Sequence, residues 1–153
     1  MAKFRFRLEA VLRIREFEED RAKQVFFELQ KDFRREEGFF KQLVRQREAA
    51  KQSDRGNGKV SREFDVQDLL GRRRHINVLY QRIAAKGEQL TQIGHDLESA
   101  RKTFGQARVR RRVVEKIKER KKREFLQEEG RRESRELDEI GQNYSQIDKG
   151  GRS

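Results

Sequence analysis

The chain has 153 residues, 43% of them charged and 33% hydrophobic, with a net charge of +12 and neither cysteine nor proline. Globular domains sit near 25% charged and about 45–50% apolar, so a compact single-core domain of this length is excluded. The missing cysteines exclude a disulfide framework and a thiolate metal site or nucleophile. No stretch approaches the roughly 18 apolar residues of a membrane span, and Met1 to Arg7 lacks the apolar core of a signal peptide. A soluble cytoplasmic protein is the expectation.

High charge with low hydropathy is shared by disordered chains and long coiled coils, and periodicity separates them. An internal proline would cost a helix about 3 kcal/mol, so its absence permits unusually long helices. The expected fold is all-α: two long helices forming an antiparallel coiled-coil hairpin, the second overhanging the first. The first helix is expected over about residues 4–53. Within it Ala22, Val25, Leu29, Phe39, Leu43 and Ala50 fall on the a and d positions of one heptad frame. Phe26, Phe33 and Phe40 recur every seven residues beside that seam. Arg15, Glu18, Asp32, Glu36 and Gln46 interrupt the frame.

The concentrated turn signal is Ser53 to Ser61, with Gly56-Asn57-Gly58 at its centre, which sets a loop at 54–62. Gly56 to Ser61 faintly resembles a phosphate loop but lacks the GxxxxGK[ST] spacing and a preceding strand, so it reads as a turn. The second helix is expected over about residues 63–147, followed by a disordered tail at 148–153, all within one domain spanning 1–153. Ile76, Leu79, Ile83, Lys86, Leu90, Ile93, Leu97, Ala100, Phe104 and Ala107 alternate in steps of three and four, and nine of these ten are apolar. This is a strong coiled-coil signal. Beyond Ala107, Arg111, Lys118 and Lys121 fall on seam positions. A last amphipathic fragment follows at Leu137, Ile140, Tyr144 and Ile147.

A short connection makes the two stripes antiparallel neighbours, with partner numbers summing to about 115 or about 122. The first places the apex at Asn57-Gly58. The second sets Glu36 against Lys86 and packs Val25 near Leu97 and Leu29 near Ile93. In either register, residues beyond about 115 have no partner helix in the chain.

Residues 101–123 carry twelve basic and two acidic side chains, nearly the whole excess of the chain, with Arg110-Arg111-Arg112 among the densest parts. Such a segment implies an acidic partner, either a phosphate backbone or an acidic protein surface. No nucleic-acid fold and no aromatic platform accompany it, yet a nucleic-acid- or ribosome-associated coiled coil stays open as the alternative function. Eight of the eleven phenylalanines lie within residues 4–40, more than a two-helix seam covers. They imply either a widened seam with N-terminal packing on Val113, Val114 and Ile117, or an exposed partner surface. They also admit self-association into a four-helix bundle. His75 and His95 are too far apart on one helix to share a metal, and a two-helix rod has no cleft to retune a carboxylate. No catalytic residue, cofactor or metal site is expected.

Phe4-x-Phe6-x-Leu8-x-x-Val11-Leu12-x-x-Arg15, continuing to Glu19 and Ala22, resembles the opening of the flagellar export protein FliJ family. Length, basic charge, lack of proline and a hairpin with Gly-Asn-Gly near residue 57 agree with it. The resemblance implies a non-enzymatic component of the flagellar type III export apparatus, with no small-molecule substrate and touching the membrane only indirectly, at the inner-membrane export apparatus. It implies a stalk similar to the central shaft of rotary ATP synthases, inserted in the hexameric export ATPase and promoting its assembly and activity. It also implies contacts with the cytoplasmic domain of the export gate FlhA and with export chaperones. On this chain the ATPase-ring contact would comprise Phe4, Phe6, Leu8, Val11, Leu12, Arg15, Arg110, Arg111 and Arg112. The gate contact, by position relative to the loop, would comprise Phe40, Leu43, Leu70 and Arg74.

Overall fold

The computed structural model describes residues 3–56 and 66–150. Two helices account for nearly all of them: α1, Glu9–Gly56, of 48 residues, and α2, Val66–Gly150, of 85 residues. Among the described residues there is no strand, and the two helices pack against each other as an antiparallel hairpin. With no proline, nothing internal stops either helix. Glu9 and Asp68 in the first turns and Arg55 in the last turn of α1 complement the helix dipoles.

The boundaries differ from expectation in three places. Residues 3–6 are not helical, and α1 starts at Glu9, where its amide donates to the Phe6 carbonyl at 3.2 Å. Residues 54–56, assigned to the loop, remain in α1, because a glycine at a helix end needs no early break when nothing forbids the helical conformation. The rest of the expected loop lies outside the described residues. Residues 148–150, expected to be disordered, continue α2, and 151–153 lie outside the described residues.

Packing divides the chain into two compact units, each built from a segment of both helices: a terminal unit of 1–19 with 107–153, and a central unit of 20–106. In the central unit, the α2 seam follows the expected frame from Ile76 to Phe104, every position being buried or half-buried. Leu79 is its most deeply buried side chain, 1% exposed.

The α1 seam is rotated relative to the expectation. Val25 and Phe39, placed on the seam, are about half exposed, whereas Phe26, Phe33 and Phe40 turn inward with Ala22, Leu29, Glu36 and Leu43. Burying a ring removes more apolar area from water than burying valine, so the phenylalanine row wins the contact. On the opposite helix two of its rings pack over glycines. A Cβ built on Gly87 would lie 3.7 Å from the Phe40 ring, and one on Gly94 would lie 3.7 Å from Phe33. The Phe26 ring stacks on Phe104 with centroids 6.0 Å apart.

The register differs as well. Partner numbers sum to 127 at Phe40–Gly87, at Phe33–Gly94 and where Arg47 covers the Tyr80 ring. The expected values of 115 and 122 differ from these sums, and Val25, about half exposed, is not on the seam near Leu97. One element of the second register survives: the Lys86 ammonium donates to the Glu36 carboxylate at 2.5 Å, reaching about one turn along the helix.

That bond, with help from Arg35, holds the Glu36 carboxyl below its ordinary value of 4.5. A depressed carboxylate stabilises the fold above its unfolded pKa and loses that contribution as pH falls through the folded value. Melting temperature should therefore drop on acidification below about pH 4.5. The drop should be smaller in Glu36→Gln. Thermal melts followed by circular dichroism test this, and parallel pH profiles for the two proteins would refute it.

Candidate functional site: the terminal unit

In the terminal unit the N-terminal segment lies along α2 and extends the pairing past the start of α1. The Phe4 ring meets Phe125 at 5.6 Å, the Lys118 ammonium sits 5.9 Å above the Phe6 ring, and Leu12 and Val114 form the core. Cover on α2 therefore reaches Phe125, past the expected limit near residue 115. Alternation explains it: Phe4 and Phe6 are half-buried while Lys3, Arg5 and Arg7 are exposed, the period-two pattern of an extended segment with one face on a helix.

Two of the three basic seam positions, Arg111 and Lys118, have partners in α1, whereas Lys121 is exposed and pairs within α2. Arg111 donates to Glu19 in a very short contact and to Glu115 at 2.6 Å. These two carboxylates push the Arg111 guanidinium still further above its ordinary pKa. Lys118 pairs with Glu9 at 2.8 Å, and Lys121 and Arg120 hold Glu124 below its ordinary carboxyl value. Part of the positive segment is thus neutralised internally, which the count of charges along one helix did not show.

The nine residues assigned to a ring contact all lie in this unit, but in different environments. Leu12 is core, 5% exposed, Arg15 pairs with Glu18 at 2.9 Å, and Arg111 faces inward. Phe4 and Phe6 spend most of their surface on α2. Leu8 and Val11 are partly exposed, and Arg110 and Arg112 are exposed. Successive helical residues point about 100° apart, so the middle arginine of the triplet faces α1 and its neighbours face solvent.

The four residues assigned to a gate contact lie in the central unit. Phe40 packs on Gly87 and Leu43 is half-buried, whereas Leu70 and Arg74 are exposed. Gly87 is thirteen residues along α2 from Arg74, about 20 Å, so the four are not brought into one cluster. His75 and His95 are exposed, and among the described residues no group of histidine or acidic side chains is arranged to hold a metal. No helix among them is long and apolar enough to cross a membrane.

Reading for the seam missed a further feature. Ile14, Phe17, Val109 and Val113 are more than half exposed, and Val11 and Ile117 more than a third. All but Val11, which the expected α1 frame includes, lie outside the a/d frame of both helices, so only the register reveals that they share levels.

The model of the family described as "Flagellar FliJ protein" matches residues 4–146. The chain belongs to the FliJ family. It is thereby a flagellar, type III export component of coiled-coil architecture, from a family of non-catalytic proteins. No curated protein matches this FliJ-family chain. Among solved structures, a chain named as a YscO homolog, CT670 from Chlamydia trachomatis, is 24% identical over 96% of this chain and 98% of its own, with a TM-score of 0.42.

Proposed function

We propose that this FliJ-family chain is a non-enzymatic stalk and adaptor in the cytoplasm, at the membrane-bound flagellar export apparatus. It enters the ring of the export ATPase, promotes its assembly and turnover, and links it to the export gate FlhA and to export chaperones. The observation that carries the reading is a pair of exposed arginines, Arg110 and Arg112, on a helix held in place by internal ion pairs at Arg111 and Lys118. Neither has an ion-pair partner among the described residues, so both are available to acidic groups of a surrounding ring. A single shaft inside a ring of six subunits faces a symmetry mismatch and cannot pack tightly on every side. Long flexible cations make screened, exchangeable contacts suited to that task. Leu8 and Val11 add partly exposed apolar contact beside them. For the gate, Leu70 and Arg74 are the accessible members of the expected set, and Phe40 and Leu43 support the helix beneath.

The test is Arg110→Glu with Arg112→Glu, leaving Arg111 in place because its reversal would set a third carboxylate against Glu19 and Glu115. Stimulation of the cognate export ATPase should fall by about an order of magnitude, the loss expected from two charge-assisted contacts turned repulsive. The circular dichroism spectrum should not change. Undiminished ring assembly and turnover would sink the stalk reading.

A further inference from the structure

Two apolar surfaces of the terminal unit have no partner within it. The first is the two-helix face formed by Val11 and Ile14 on α1 and Ile117 and Val113 on α2, with exposures from 37% at Val11 to 57% at Ile14; Phe17 and Val109 turn outward beyond it. Partner numbers across this face sum to 128 and 127, matching the register of the Lys118–Glu9 pair at 127, so the residues sit level in two rows. The ion pairs of Glu9 and Glu19 border the other edge of the seam, which leaves this edge apolar. The second surface is the stripe Leu137, Ile140, Tyr144 and Ile147 near the end of α2, exposed from 52% to 72%.

The charges around the two surfaces are opposite. Arg7, Arg110, Lys116 and Arg123 are exposed around the first, without an ion-pair partner among the described residues. The acids nearest to it, Glu18 and Glu124, are already paired with Arg15 and with Arg120 and Lys121. Residues 133–147 carry four acids, Glu133, Glu136, Asp138 and Glu139, against the one base Arg135, and none of these acids is paired among the described residues. The dimensions also agree. The stripe runs about 15 Å along α2, enough to cross both rows of the face, which lie about 6 Å apart. An amphipathic helix laid over two antiparallel helices buries its i, i+3, i+7 positions against both.

We propose that the acidic stripe from Leu137 to Ile147 of one copy of the chain docks on the basic-rimmed apolar face of a second copy. The stripe cannot reach the face of its own chain. Ile117 and Leu137 lie on one unbroken helix, about 30 Å apart, and folding back would break it. Face against face is disfavoured because it opposes the same four cations. The contact is small, so it is weak, with a dissociation constant on the order of 10–100 µM, and it covers Arg110 in the free protein.

Sedimentation of the full chain from about 10 to about 500 µM at low salt tests the proposal and involves no ATPase, so it stands or falls separately from the stalk reading. Mass should rise above the 18.4 kDa monomer with concentration. Association should weaken at least about tenfold in Ile140→Asp with Tyr144→Asp, and equally in Ile14→Asp with Val113→Asp. Arg110→Glu with Lys116→Glu should weaken it as well, and adding Glu136→Lys with Glu139→Lys should restore it. All the substituted side chains are exposed, so helix content should be retained. A monomer at every concentration overturns the proposal, as does association indifferent to either apolar pair. So would a monomeric chain whose Ile14→Asp, Val113→Asp variant loses ATPase stimulation, which would assign the face to that protein.

Discussion

Replacing Leu79 by alanine should destabilise the central unit by about 2–3 kcal/mol, the largest loss for any single aliphatic truncation among the described residues. Leu79 is 1% exposed, and no other described side chain is as fully buried. The cost has two parts: the transfer free energy of the removed carbons, and the cavity left where neighbours cannot collapse. A two-helix packing has a single seam and can close partly around a void, which places the value at the low end of the range for Leu→Ala. Leu70→Ala is the control, since Leu70 is 45% exposed and its truncation should change stability by less than about 0.5 kcal/mol. Urea unfolding followed at 222 nm compares the two. Equal midpoints would mean that the seam described here does not hold the central unit together.

Leu79 belongs to the part of the fold that is legible in sequence. On α2 the stripe from Ile76 to Ala107 has a polar gap only at Lys86, and one heptad frame accommodates it. On α1 apolar residues come in adjacent pairs, Val25-Phe26 and Phe39-Phe40, so two frames rotated by one residue fit almost equally well. The choice between them is made against the other helix, where the Phe40 and Phe33 rings pack over Gly87 and Gly94. That information is interhelical and invisible to periodicity along α1.

The terminal unit divides in the same way. The N-terminal motif and the arginine triplet were visible as sequence, and both lie in one unit. Which arginine turns inward was not visible, because Glu19 lies 92 positions from Arg111. The apolar face escaped for a related reason. Val113 and Ile117, expected with Val114 to pack on the N-terminal phenylalanines, are exposed instead, and only the register sets them at the levels of Ile14 and Val11.

Substituting alanine for Gly38, Gly71, Gly87, Gly94 and Gly105 together should stabilise the central unit by about 3–5 kcal/mol and raise its melting temperature by on the order of 15 °C. All five lie inside helices and none adopts the left-handed conformation that would strain alanine. A Cβ at Gly38, Gly71 or Gly105 meets nothing within 4 Å. At Gly87 and Gly94 it meets a phenylalanine ring at 3.7 Å, an ordinary van der Waals contact. Each exchange restricts the unfolded chain and gains about 0.8–1 kcal/mol of helix propensity. The ring contacts separate two roles for Gly87 and Gly94. If they serve to admit Phe40 and Phe33, alanine adds contact, and the gain at these sites matches that at Gly38. If the rings pack more closely than 3.7 Å in solution, alanine overpacks and the gain disappears at these two sites alone. Single-site melts tell these outcomes apart. In the stalk reading, solvent-facing glycines that cost stability without improving packing keep the helices compliant in an asymmetric ring. The five-alanine protein should then bind the export ATPase yet stimulate it less than the parent chain does. Full stimulation by the stiffened protein would show that compliance of the central unit plays no part in coupling.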